Sequence, residues 1–309
     1  MSRLRSRDPR SIADKRNLFD ILIIGSGIVG SALAYSLAST GRRVLIIERD
    51  LCEPDRIVGE LLQPGGCAAL SRMGLLDCLD GIDARLCQGY QIFWGSKSVD
   101  IPYPEINSTS RLAFSESGLS GQDMPKSSNG KAQGRSFHHG RFVQALRKKA
   151  ASHKNVTLVE GTVSDLVYDD ESVVIGINVI PSQKAIYDND QPTITAKGVL
   201  TLYASLTLVV DGFASKFRKA LLPSDARPPV VRSNFVALLL KDADLPATNH
   251  GHVILKDASA TSPSANENTT GGPVLVYQLS KHDTRMLVDV PGQKLPSISN
   301  GDLKVGFYS

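Results

Sequence analysis

The sequence predicts an α/β fold that opens on a βαβ unit and is then interrupted by a β-rich insertion. Three observations carry this expectation. An apolar run enters a Gly-x-Gly-x-x-Gly turn, a helical stretch and a second apolar run follow at once, and β-forming segments later return to an Asp-Gly pair. At 309 residues the chain can hold one large domain or two intertwined ones.

Ile21 to Ile24 form the entering strand and lead into Gly25, Gly27 and Gly30. Gly25 permits the tight turn, Gly27 lets the backbone approach a pyrophosphate, and Gly30 lets the helix pack closely on the strand. The helix follows with Ala32, Leu33 and Leu37 on its inner face, and then come Arg43 to Ile47 and Glu48. The start of the helix offers unpaired N–H groups and a partial positive charge to a pyrophosphate. Glu48, 23 residues after Gly25, is placed to accept hydrogen bonds from a ribose. An acid there, rather than an arginine, favours an unphosphorylated ribose and therefore FAD or NAD over NADP. The bland alternative is a structural turn with no ligand.

Pro64 to Leu79 has helical spacing, with Ala68, Leu70, Met73, Leu75 and Leu76 apolar. Gly89 to Tyr103 reads as strands, and Pro104 to Gly134, rich in Ser, Gly, Asn and Lys, as a long mobile surface insertion. Arg135 to Phe142 opens a helix that runs through Lys149. Four β candidates follow: Val156 to Glu160, Val163 to Val167, Val173 to Ile180 and Val199 to Val210. After Asp211-Gly212 a helix is expected over Ser215 to Leu221. Residues 229–240 and 273–290 read as strands around a second polar loop. An NAD dehydrogenase would continue with regular βαβ units. A Rossmann-like sheet interrupted by a substrate domain, as in a flavoprotein, fits this order better.

Composition narrows the function classes. With 41% hydrophobic and 21% charged residues the chain is an ordinary globular protein. Its formal charge of +4 is carried by residues 1–16, which leaves the rest neutral and gives no basic face for nucleic acid. That leader reads as solvated, or as touching anionic lipid. The longest apolar candidate, Gly198 to Val210, is too short to span a bilayer, and the arginine-rich start lacks the apolar core of a signal peptide. Cys52, Cys67, Cys78 and Cys87 lack metal-site spacing and read as reduced thiols. The sequons at Asn107, Asn155 and Asn268 carry no meaning without translocation. His138 and His139 invite a metal reading, but adjacent residues point apart and no acid or cysteine completes a set. No metal is expected.

The remaining motifs name a family. Glu48 runs into Arg49-Asp50-Leu51, then Glu53 to Glu60, then Leu61-Leu62-Gln63-Pro64-Gly65-Gly66. Phe137 to Phe142 and Val210 to Lys219 follow later. Together these strongly resemble the squalene epoxidases (squalene monooxygenases), over about residues 18–304. The stretch ERDLCEPDRIVGELLQPGG is specific to that family, and the Ser- and Asn-rich insertions look like its fungal members.

The resemblance implies the FAD-binding Rossmann-like fold of flavin monooxygenases. It implies a basic leader at 1–17, a discontinuous FAD-binding domain at 18–85 and 136–225, and a partial substrate domain at 86–135 and 226–309. Ile28 and Val29 would lie against the FAD pyrophosphate, Glu48 would hold the ribose, and Arg49 would sit beside the adenosine. Arg56 and Leu61 would approach the flavin half, Arg141 the phosphate or ribitol, and the Val163 backbone the adenine. Asp211 and Gly212 match the Asp-Gly pair that supports the pyrophosphate site, and Tyr90 matches a tyrosine beside the substrate cleft. Arg56 as a surface charge and Tyr90 as a core aromatic are the plainer readings.

Such enzymes use reduced FAD and O₂ to epoxidise squalene to (S)-2,3-oxidosqualene in sterol or triterpenoid biosynthesis. Electrons reach them from NADPH through a separate reductase, expected to be NADPH-cytochrome P450 reductase, at the cytosolic face of the endoplasmic reticulum membrane. An aromatic hydroxylase of the same flavin class is a weaker reading, because the motif after Arg56 is not shared across that class. The family pattern also holds a second flavin motif and apolar C-terminal helices, whereas Val305 to Ser309 depart from it as read-through of an unspliced intron would. A truncated gene model or short form, and with it a non-catalytic FAD-binding remnant, is therefore the competing expectation.

Overall fold

The computed structural model describes residues 18–105, 130–182, 198–223, 225–227, 230–255 and 272–292. The leader, most of the expected insertion after Pro104, the second polar loop, the residues from 293 onward, and the sequons at Asn107 and Asn268 lie outside the described residues. In chain order the elements are β1 (Leu18–Ile24), α1 (Ile28–Ala38), β2 (Val44–Glu48), β3 (Leu61–Leu62), α2 (Pro64–Arg72), a 3-10 turn (Leu76–Leu79), β4 (Arg85–Cys87), β5 (Gly89–Trp94), β6 (Lys97–Pro102) and β7 (Gly134–Ser136). There follow α3 (His139–Ala151), β8 (Val156–Tyr168), β9 (Val174–Pro181), β10 (Leu200–Val209), α4 (Arg218–Leu221), β11 (Ser233–Lys241), β12 (Gly251–Leu255), β13 (Val274–Gln278) and β14 (Asp283–Pro291).

The chain divides into two compact units. The first takes the described residues of Met1–Arg56, Met73–Leu79 and His139–Ser224, and the second those of Ile57–Arg72, Asp80–His138 and Asp225–Ser309. Residues 57–72 and 80–85 thus group with the second unit. The reason is local: β3 and β4 both pair with β7.

In the first unit β1 lies parallel between β2 and β10, and β2 continues the parallel sheet to the first half of β8. These strands are buried on both faces, which explains their unbroken apolar runs. Ile21, Ile23, Val44 and Ile46 pack towards Ala34, Ala38 and Ala150 of the helices. Leu22, Ile24, Leu45 and Ile47 pack on the opposite side, with Val163, Ile177 and Leu202. Small alanines therefore form the inner face of α1, while Leu33 and Leu37, expected there, are only partly buried. An alanine face brings the helix axis close to the sheet.

Two expected strands, Val156 to Glu160 and Val163 to Val167, are one strand. β8 pairs with β2 in parallel up to Glu160, then from Gly161 with β9 in antiparallel fashion. Gly161 allows the change of partner, since a Cβ there would lie 3.0 Å from the Ile180 carbonyl oxygen. β10 mirrors it, meeting β9 over Leu200 to Tyr203 and then β1, so that the five strands close into a ring. The helix expected over Ser215 to Leu221 is reduced to α4, its start replaced by a turn in which Ser215 donates its N–H to the Gly212 carbonyl.

In the second unit a six-stranded sheet runs β11-β14-β13-β12-β5-β6, and β3-β7-β4 form a small sheet. β12 was hidden from sequence reading because it is short and sits beside a polar loop. The helix expected from Pro64 to Leu79 stops at Arg72; Gly74, at φ +69°, takes a left-handed turn that no helix continues through. No helix among the described residues is long and apolar enough to cross a membrane.

Candidate functional site

β2, β1 and β10 are neighbours and parallel, so their C-terminal ends share one edge of the sheet. Glu48 closes β2, Gly25 follows β1, and Asp211 stands just beyond β10. Rossmann-like βαβ units bind dinucleotides beyond the carboxyl ends of their parallel strands. Gly25 has φ +101°, and a Cβ on it would fall 2.7 Å from the Asp211 Cα. A Cβ on Gly30 would fall 1.9 Å from the Gly25 carbonyl oxygen. Both glycines are therefore required by sterics within the protein. Gly27 differs, for its Cβ would point into open space. It precedes α1, whose N-terminus has no side-chain cap and no acid in its first turn; there Ile28 is half-buried and Val29 is exposed.

Glu48 is held from two sides. Its Oε2 accepts the Ser26 N–H at 2.7 Å, and its Oε1 the Asp50 N–H at 3.3 Å. From α3, Arg147 brings a buried guanidinium to within 3.6 Å of Oε2. Its Nε donates to the Ser26 carbonyl at 2.8 Å, Nη1 to the Cys52 carbonyl at 3.0 Å and Nη2 to the Asp50 carbonyl at 3.2 Å. Burial depresses the Arg147 pKa, and the neighbouring Glu48 charge works against that. Gln144 donates to the Leu51 carbonyl at 2.7 Å, and Gly140 has no room for a Cβ, which would lie 2.4 Å from the Pro54 carbonyl oxygen. The loop after Glu48 is thus stitched to α3 along most of its length.

Sequence reading singled out Arg141 and missed Arg147. The two stand about 120° apart around the helix. Arg141 is half-buried, whereas Arg147 shares the buried face with Val143, Leu146 and Ala150. The signal was available: a charged residue at a core position of an amphipathic helix needs a partner.

Asp211 presents a buried Oδ1 with no hydrogen-bond partner among the described residues, and Gly212 turns at φ +89°. Arg49 and Arg56 are exposed in the loop that follows β2. Val163 is buried in β8, where the β8–β9 register shifts. These residues and the glycine turn all belong to the first unit.

Leu61 and Tyr90 belong to the second unit. The Gln63 side chain, just past β3, donates to the Tyr90 hydroxyl and accepts from the Tyr103 hydroxyl at 2.5 Å. The two tyrosine rings meet edge to face at 6.1 Å. Burial, then the nearby Cys87, pushes the Tyr103 pKa up. Gly251 leaves space for the Tyr90 ring, which would lie 2.8 Å from a Cβ there. A cavity of about 140 Å³ is walled by Leu61, Leu86, Leu245 and Tyr277, with Ser136 and His250 among its polar residues. His138 is engaged by Asp283 at 2.8 Å, and among the described residues no cluster of His, Cys, Asp or Glu could hold a metal.

Comparison with known proteins adds to this geometry. Residues 20–54 match the family model described as FAD dependent oxidoreductase, and residues 203–307 the model described as squalene epoxidase. The chain is 43% identical to a squalene monooxygenase of Panax ginseng, over 92% of this chain and 43% of that one. It is 39% identical to a squalene epoxidase of Gibberella zeae, over 88% of this chain and 49% of that one. Identity therefore does not single out the fungal type that the insertions suggested. The chain spans less than half the length of either relative. Among solved structures, p-nitrophenol 4-monooxygenase from Pseudomonas putida superposes with a TM-score of 0.64 at 18% identity, covering 94% of this chain and 62% of that one. That likeness concerns the fold.

Proposed function

We propose, since the chain belongs to the squalene epoxidase family over the stretch they share, that it is the cofactor-holding part of an FAD-dependent squalene epoxidase. The observation that carries the reading is the sheet edge with an uncapped helix N-terminus between two acidic acceptors, one of them the unpartnered Asp211 Oδ1. A dinucleotide presents a matching pattern, with anionic phosphates at its centre and hydroxyl donors on either side.

In this reading Gly25, Gly27, Ile28, Val29 and Gly30 hold the pyrophosphate against the start of α1. Glu48, kept in place by Ser26 and Arg147, accepts from the adenosine ribose. Asp211 and Gly212 serve the pyrophosphate and ribitol side, where a hydroxyl would satisfy Oδ1. Arg49, Arg56 and Arg141 supply positive charge, Leu61 an apolar contact to the flavin, and the Val163 backbone a contact to the adenine. Bound FAD supplies, once reduced, the activation of O₂ and delivery of one oxygen atom to an alkene. The alkene is the nucleophile, so no protein nucleophile is required. What remains for the chain is to orient the alkene and exclude water, tasks that suit apolar walls.

Squalene as substrate, NADPH-cytochrome P450 reductase as electron donor, and residence at the endoplasmic reticulum membrane rest on the family resemblance. Fluorescence titration with FAD tests the cofactor part. Conversion of squalene to its epoxide, with NADPH and the reductase present, tests the rest. A second reading is FAD binding without turnover. FAD binding together with no epoxide would establish it, and NAD binding in place of FAD would overturn both.

A further inference from the structure

The second unit contains an ion pair that the proposed chemistry does not use. Glu60 is 2% exposed and Arg285, on β14, is 7% exposed. Arg285 grips the carboxylate with both arms of its fork, Nε to Oε2 and Nη2 to Oε1, each at 2.9 Å. The Tyr277 hydroxyl donates to the same Oε2 at 3.1 Å, and the Glu60 carbonyl accepts the Phe137 N–H at 2.9 Å. Glu60 immediately precedes β3, whose Leu61 lines the cavity; Gln63, just beyond, binds Tyr90 and Tyr103. Tyr277 lines the cavity as well.

Stability alone is a poor reason for such a pair. Desolvation of two buried charges offsets most of their attraction, and apolar replacements of similar volume are often as stable. A fork bonded at two atoms does what an apolar pair does not: it fixes the plane of the carboxylate. The plane in turn fixes the direction from which Tyr277 donates. We propose that Arg285 is a positioning residue, which by clamping Glu60 sets the Glu60–Gln63 segment and the Tyr277 ring as one wall of this cavity. Its service to squalene binding rests on the function proposed above, whereas the clamp itself does not.

The experiment uses the full chain with ¹³C-labelled tyrosine rings and ¹⁵N-labelled glutamine side chains, the signals assigned through Tyr277→Phe and Gln63→Glu. In Glu60→Met/Arg285→Met the cooperative unfolding transition should survive, while the Tyr277 ring and the Gln63 amide shift and broaden. Arg285→Lys, which keeps the charge and loses the fork, should disturb the same signals less. A folded double variant with both signals at their parental positions overturns the proposal. If the double variant does not fold, Arg285→Lys decides by the same criterion. Squalene delivered in detergent micelles should perturb the parental Tyr277 signal, with about tenfold weaker binding in Arg285→Lys. Equal binding by the two proteins overturns the positioning role. No perturbation in the parent counts against the substrate reading, and the label signals then decide the clamp.

Discussion

Replacing Arg147 tests whether the loop after Glu48 is built around one buried cation. Arg147→Met keeps most of the side-chain volume but removes three hydrogen bonds to carbonyls and the partner of Glu48. Removing one member of a buried pair costs about 3–5 kcal/mol. Glu48 keeps its bond from Ser26 and is 20% exposed, so the lower end applies, about 3 kcal/mol. Arg147→Lys keeps a charge but reaches fewer carbonyls, and should lose about 1–2 kcal/mol. Urea unfolding followed by far-UV circular dichroism measures both. The single tryptophan, Trp94, lies in the second unit, whereas Arg147 and this loop lie in the first. FAD titration is the companion assay, with affinity expected to fall by about tenfold or more in Arg147→Met, because Glu48 loses its fixed orientation. Arg147→Met unfolding within about 1 kcal/mol of the parent, with parental FAD affinity, would refute the role given to this residue.

Four further outcomes are expected. Glu48→Ala should weaken FAD binding by about 1.5–3 kcal/mol, roughly 10- to 150-fold, and equal affinity in fluorescence titration would remove the ribose assignment. Gly27→Ala should fold with a loss of about 0.5–1 kcal/mol, the cost of alanine at an N-cap, yet bind FAD more weakly, since its Cβ enters open space; a much larger loss of stability would contradict that geometry. Gly25→Ala should instead lose about 2 kcal/mol or more on urea unfolding, because φ +101° and the Asp211 backbone both oppose a Cβ. Asp283 is held below the usual carboxylate range chiefly by Lys241, with His138 and Ser280 adding to it. Its contribution is therefore present above the ordinary Asp pKa of about 4 and is lost as pH falls through the lowered value, so Asp283→Asn should destabilise at neutral pH and much less in strong acid.

How much of this was legible depended on where each residue finds its partners. The order of elements in the β1–α1–β2 unit could be read because the apolar runs, the glycine spacing and Glu48 lie within one short stretch. Even there, the inner face of α1 was read by size, towards Leu33 and Leu37, when close packing had selected Ala34 and Ala38. β8 read as two strands because its side-chain pattern changes at Gly161, where its neighbour changes, and a single sequence shows the pattern but not the neighbour. The Glu60–Arg285 pair joins residues 225 positions apart, beyond any periodicity. Arg147 was the avoidable miss, since a lone arginine on the apolar stripe of α3 announces a buried charge even before its partner is known.

That buried arginine also shows what the site is organised to do. Its burial depresses its own pKa, and it spends its hydrogen-bonding capacity on three carbonyls of the protein and on an acid that already has a donor in Ser26. Loss of Arg147 alone would strand Glu48 and three carbonyls, but apolar side chains in place of both charges would avoid the desolvation cost, so stability is a poor reason for the pair. Rigidity is a better one. The carbonyls belong to Ser26 in the glycine turn and to Asp50 and Cys52 in the loop after Glu48, so one planar guanidinium fixes both segments relative to each other. These are the segments that would touch the two ends of an adenosine diphosphate. With the turn and Glu48 held beforehand, binding of the proposed dinucleotide would cost little ordering entropy, and its affinity would rest on preorganised acceptors and helix N–H groups.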